Sequence, residues 1–148
     1  MVTKNETPKS NKKKSVSKIE NKLTLINVQL LSINGQLLTT EPPVDPVKFT
    51  RQNNVTLLEI NDKDIKIKLS EHLFFTPGGP FRLDIEILGT YRFKGKLSES
   101  DIENELDELA TPLYSYASLV IAFVTERFVT LPIIMFPNKS QEDVNEAP

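Results

Sequence analysis

The chain has no cysteine, no tryptophan and one histidine, His72, among its 148 residues. Without cysteine there is no disulfide scaffold, no Cys-based zinc site, no thiol nucleophile and no iron–sulfur cluster. One histidine cannot build a multi-histidine metal site, so His72 reads as a surface or loop-proximal residue. A bias of charge is missing too: 18 Lys and Arg stand against 20 Asp and Glu, a formal net charge of −2. Dedicated nucleic-acid binders carry a basic excess, and this balance argues against one. Glycine is scarce, at five residues. Gly78-Gly79 is followed by no Lys-Ser/Thr pair and opens no helix, so it reads as a hairpin turn rather than a phosphate loop. Long apolar runs are also absent. The charge-free stretch 109–125 stops at Glu126 and Arg127 and is diluted by Thr111, Pro112, Ser115 and Ser118. A bilayer span needs about 20 predominantly apolar residues, so a buried helix is expected here and no membrane span. A cysteine-free chain fits a reducing cytoplasm, which is the expected location.

What is present is a chain long enough for one domain with its own core, 39% hydrophobic. Its charge is uneven. Residues 1–22 hold seven lysines and two acids, and the remainder holds 11 basic and 18 acidic residues. The basic segment has too little apolar surface to offset its ordering entropy, and reads as a disordered leader. No apolar stretch follows it as a secretory signal would require. Residues 138–148 form a second polar tail, which leaves 23–137 as the folded domain.

Within that domain 23–39 is rich in Leu, Ile and Val and reads as a strand bent near Asn34-Gly35. A proline-rich loop, 40–47, follows. Residues 54–60 predict a second strand, Asn61-Asp62 a turn, and 64–75 a third strand. The TPGGP run at 76–80 predicts a hairpin. Residues 81–94 alternate cleanly: Phe81, Leu83, Ile85, Ile87, Tyr91 and Phe93 on one face, Arg82, Asp84, Glu86, Thr90, Arg92 and Lys94 on the other. That is an antiparallel strand with one dry and one wet face.

The period then changes. Ser98 or Ser100 can cap a helix, with Asp101 or Glu103 three residues on. Six acids and no bases lie in 99–108, near the positive end of its dipole. Ile102, Leu106 and Leu109 give it a narrow apolar stripe. Pro112 suits the first turn of a second helix, 112–129, which is apolar nearly all round. One sheet covers one side of such a helix, so its other side calls for a second copy of the chain. The segment 131–137, LPIIMFP, is too flanked by proline for a helix and too apolar for solvent. Four antiparallel strands followed by a short and a long helix on one face make an α+β domain.

Two stretches carry a family resemblance. Residues 81–95, FRLDIEILGTYRFKG, resemble the last strand of the SecB-type export chaperones, with Phe81-x-x-Asp84, Gly89-x-Tyr91 and Gly95. Residues 112–137 resemble that family's long helix and the segment after it. Leu113, Tyr114, Tyr116, Ala117, Arg127, Pro132 and Pro137 stand at matching places. The order of elements agrees, over about 23–138. The resemblance implies a homotetramer, a dimer of dimers, that binds non-native polypeptides in apolar grooves without ATP or any cofactor and holds them for export. It implies no enzyme. The departures are Ser115 and Ser118 in place of the family's Pro and Arg, Arg82 at an apolar position, and Ser32 and Gln36 where outer acids stand in the first strand. They set docking on the SecA motor against a narrower role, as the dedicated chaperone of an antitoxin.

Client-binding candidates are Leu113, Tyr114, Tyr116, Ile133, Ile134, Met135 and Phe136, since Met and aromatics suit adaptable binding surfaces. Packing within the core or the tetramer is the competing role for each. Asp84 and Glu86, on the wet face of their strand, are the partner-docking candidates. The chain has no nucleophile elbow and no nucleotide fingerprint. The rival enzyme class is a hot-dog thioesterase, for which Glu126 is the acid on the long helix. An ion pair with Arg127 is its alternative role.

Overall fold

The computed structural model describes residues 22–130 and 132–135. The basic segment 1–22, apart from Lys22, the tail 138–148 and the candidate Phe136 lie outside the described residues. Four strands come first, β1 (Leu23–Leu37), β2 (Lys48–Ile60), β3 (Asp64–Thr76) and β4 (Phe81–Phe93). Three helical segments follow, α1 (Glu99–Glu103), α2 (Leu106–Leu109) and α3 (Thr111–Val129). The α+β class read from the sequence is the one observed. The expected short helix is split into α1 and α2.

The four strands form one antiparallel sheet in the order β1-β4-β3-β2. Strands β2, β3 and β4 are joined by tight hairpins. Asn61 makes the first of them, its side-chain oxygen accepting from the Lys63 and Asp64 N–H groups at 3.0 and 2.8 Å. Strand β1 lies beside β4, so 38–47 must cross from one edge to the other, a Greek-key order. Leu38 and Thr39 donate to the Pro80 carbonyl at 2.7 and 3.3 Å, which pins the crossover to the β3–β4 hairpin.

The expected bend at Asn34-Gly35 does not occur. Pairing runs unbroken through Asn34↔Asp84, Gly35↔Leu83 and Gln36↔Arg82. The register shifts instead between Leu25 and Asn27 and between Leu30 and Ser32, and in β2 between Leu57 and Glu59. Each shift falls on an apolar doublet, Leu25-Ile26, Leu30-Leu31 or Leu57-Leu58. A bulge inserts one residue and so keeps the flanking apolar residues on the inner face. Glycine is needed at 35 for another reason: a Cβ there would lie 2.6 Å from the Phe128 ring of α3.

Strand β2 begins six residues before its expected start. The sequence hid this part because its inward positions are not all apolar. Phe49, Arg51 and Asn53 face Phe75, Leu73 and Glu71 across the ladder. Arg51 is met inside by Glu71, so a buried ion pair replaces an aliphatic contact.

The core lies between the inner face of the sheet and the helices. Ile65, Ile67, Leu69 and Leu73 of β3 and Leu83, Ile85 and Ile87 of β4 are wholly buried. Helix α3 adds Leu113, Ala117 and Ile121, and the α1–α2 region adds Ile102 and Leu109. Gly89 lets α3 approach: a Cβ there would be 2.8 Å from the Leu113 side chain. The Tyr91 hydroxyl donates to the Leu109 carbonyl, tying the end of α2 to β4. Of the two candidate caps, Ser98 is used, in a reciprocal capping box with Asp101. No described helix is long and apolar enough to cross a membrane.

Candidate functional site

Helix α3 buries one stripe, Leu113, Tyr114, Ala117, Ile121 and Thr125. Tyr116, Val120 and Val124 flank it, partly buried against the core. The far side stays bare, with Leu119 71% and Phe123 60% exposed. Arg127 lies over the Phe123 ring, 4.0 Å from its centroid. This is the uncovered side that the all-round apolar sequence of the helix predicts.

After α3, Thr130 takes a left-handed conformation, φ 63°. The chain then passes through 132–135 outside any helix or strand. The Ile133 N–H donates to the buried Thr125 hydroxyl at 2.8 Å. Ile133 and Met135 pack against the core, while Ile134 is 77% exposed. A third apolar surface lies on edge strand β1, where Leu30, Ile33 and Leu37 pair with inward-facing β4 residues yet remain 40–46% exposed. Helix α3 reaches this edge at Gly35, through the Phe128 ring, but leaves these three side chains exposed.

The candidate residues therefore separate. Leu113 and Tyr114 are buried in the core, Tyr116, Ile133 and Met135 are half-buried, and Ile134 is outside. Asp84 and Glu86 lie on the opposite, outer face of the sheet. Asp84 contacts the His72 ring, and Glu86 takes Lys68 at 2.9 Å and the Ser32 hydroxyl at 3.2 Å. The Lys68 ammonium, with Ser32, holds the Glu86 carboxyl below its usual range. Both acids are already paired within the chain. Glu126 is exposed at the end of α3 and pairs with Arg127 at 3.0 Å, so no enclosed carboxylate exists there for thioester chemistry. Among the described residues no group of three His, Asp or Glu side chains could hold a metal ion.

Three features escaped the sequence reading. One is the Arg51–Glu71 pair, bidentate at 2.9 and 2.5 Å. Burial pushes the Glu71 carboxyl up, against the opposing pull of Arg51. Beside it the Tyr114 hydroxyl and the Asn53 amide nitrogen are buried without a hydrogen-bond partner. Burial first, then the charges of Asp107 and Glu71, push Tyr114 up to about 12. The second is a row of rings, Phe49, Phe75, Phe81 and Phe128, with successive centroids 5.1, 5.2 and 5.6 Å apart. The third is Thr125. Its signal was in the sequence: it is a polar residue at the next i+4 step of an apolar stripe.

No family model and no curated protein matches this chain. Among solved structures, a SecB-like chaperone of Mycobacterium tuberculosis, in complex with a peptide from the HigA1 antitoxin, matches with a TM-score of 0.70 and 12% identity. The match covers 80% of this chain and 92% of that one. A protein of unknown function from Streptococcus agalactiae matches more loosely, with a TM-score of 0.47 and 15% identity over 77% of this chain and 96% of that chain. The sheet order, the helices after it and the first of these matches agree: the chain has the fold of a SecB-like chaperone.

Proposed function

We propose that this protein is an ATP-independent holdase that captures non-native polypeptide by apolar contact, with no covalent step. The observation that carries this reading is the apolar segment after α3, where Ile134 stands 77% exposed beside the half-buried Ile133 and Met135. Exposed apolar surface of this kind marks interaction sites. In this reading the outer side of α3 and the β1 edge take further copies of the chain, giving a homotetramer. Tyr116 and the segment carrying Ile133, Ile134, Met135 and Phe136 meet the client, above the buried Leu113 and Tyr114. Several weak sites on one assembly raise the effective concentration of each. The chaperone acts in the cytoplasm.

A dedicated antitoxin client is favoured over delivery to SecA by one feature. Glu86, one of the acids that would form a docking face, is paired with Lys68, and Asp84 is in contact with the His72 ring, both partners lying on the same sheet. The solved neighbour of this fold also holds an antitoxin peptide. The test is light scattering from an aggregating unfolded protein. At stoichiometric excess this protein should delay the rise in scattering, without nucleotide. No delay would refute a general holdase. Delay for an antitoxin alone would establish the dedicated role. Glu126→Ala should leave capture unchanged, whereas a thioesterase would lose acyl-thioester turnover.

A further inference from the structure

We propose that Thr125 is a positioning residue for client capture: its hydroxyl sets the register of the segment Pro132–Met135 on α3. This rests on the holdase reading above. The buried stripe of α3 runs Leu113, Ala117, Ile121 and then Thr125, all with no exposed surface. A valine would fill the same volume there without burying a hydroxyl, so packing alone does not call for threonine. The hydroxyl both donates and accepts. It donates to the Ile121 carbonyl at 2.7 Å, with the Ala122 carbonyl at 3.3 Å, contacts any helical threonine can make. It also accepts the Ile133 N–H at 2.8 Å, from beyond the left-handed turn at Thr130. That second bond is tertiary, and it is the one the helix does not need.

Its consequence is directional. With the Ile133 amide held against α3, Ile133 and Met135 pack on the core and Pro132 and Ile134 face outward. Exposed and packed residues alternate along 132–135, so a slip of one residue would exchange the two sets. Thr125 thereby decides which apolar side chains of the segment are offered to a client.

The experiment compares the full chain with Thr125→Val and Thr125→Ser. Two quantities are measured: hydrogen exchange of the Ile133 amide, and affinity for labelled, reduced and carboxymethylated α-lactalbumin as a permanently unfolded probe. The valine variant should expose the Ile133 amide and weaken probe binding, each by about tenfold, the scale of one lost hydrogen bond. The serine variant should restore both, and helix content by circular dichroism should not change. An Ile133 amide that is unprotected in the natural chain overturns the proposal without any variant. So does a valine variant that binds the probe as tightly as the natural chain does. A natural chain that fails to bind the probe refutes the general holdase reading, and a positioning role in general capture falls with it. The amide exchange still reports whether the Thr125 bond exists, so the two failures remain distinct.

Discussion

Arg51 and Glu71 place a full charge pair where the alternation of β2 and β3 otherwise puts aliphatic side chains. Removing one member of a buried pair strands the other, at a typical cost of about 3–5 kcal/mol. Arg51→Leu is therefore expected to be severely destabilising near neutral pH. Arg51→Leu combined with Glu71→Leu should recover most of the loss. The pH dependence follows from Glu71. Burial raises its folded pKa, so its contribution to stability is present below the usual carboxylate range and is lost as pH rises through the raised value. Without Arg51 the pKa rises further. The deficit of Arg51→Leu should thus be smaller in urea titrations at about pH 4.5 than at about pH 7. Two tyrosines offer a second contrast. The Tyr91 hydroxyl donates to the Leu109 carbonyl, and that of Tyr114 has no partner. Tyr91→Phe should cost about 1–1.5 kcal/mol, whereas Tyr114→Phe should be neutral or stabilising. Equal losses would show that the unpartnered hydroxyl is satisfied after all.

Short elements depend on their ends. Helix α1 spans five residues, too few to be stable by propensity. It persists through the Ser98–Asp101 capping box and the burial of Ile102. Ser98→Ala should cost about 1 kcal/mol in chemical denaturation. The same change should appear in a titration. Hydrogen bonds from Ser98, by side chain and then backbone, hold the Asp101 carboxyl below its usual range. A depressed folded pKa contributes stability above the usual carboxylate range, and that stability is lost as pH falls through the lowered value. By NMR, Asp101 in the Ser98→Ala protein should titrate closer to an ordinary aspartate. No movement would mean that the cap is not formed in solution. In the sheet, the bulges at Ile26, Leu31 and Leu58 do similar local work. They keep β1 and β2 in phase with their neighbours along their length.

At the scale of the whole molecule, the exposed Leu119 and Phe123 on α3 define the expected assembly contact. Leu119→Glu combined with Phe123→Glu should shift a tetramer towards smaller species in light-scattering mass measurements. Circular dichroism should stay unchanged, because neither side chain belongs to the buried stripe. A natural chain that is monomeric at micromolar concentration would overturn the proposed assembly. Gly89→Ala provides a control of the opposite kind. It forces a methyl group against the fully buried Leu113 and should cost about 1–3 kcal/mol without touching the outer surface.

Local chemistry alone determined the elements whose signals are periodic or positional. The alternation of 81–94, the TPGGP hairpin, the Asn61 turn, the cap ahead of α1 and the apolar length of α3 are all written in adjacent residues. A hydrogen bond or a hydrophobic face within a few residues needs no knowledge of the rest of the chain. What required the tertiary structure was everything decided across the sheet. The β1-β4-β3-β2 order depends on which edge the crossover reaches. The early start of β2 depends on Glu71, distant in sequence, receiving Arg51. Asp84 and Glu86 read as docking acids on a wet face, and only the neighbouring strand supplies their contacts, His72 and Lys68. Of the candidate client residues, composition could mark all as apolar. Only packing could send Leu113 and Tyr114 inward and Ile134 outward, because burial is a property of the neighbours and not of the residue.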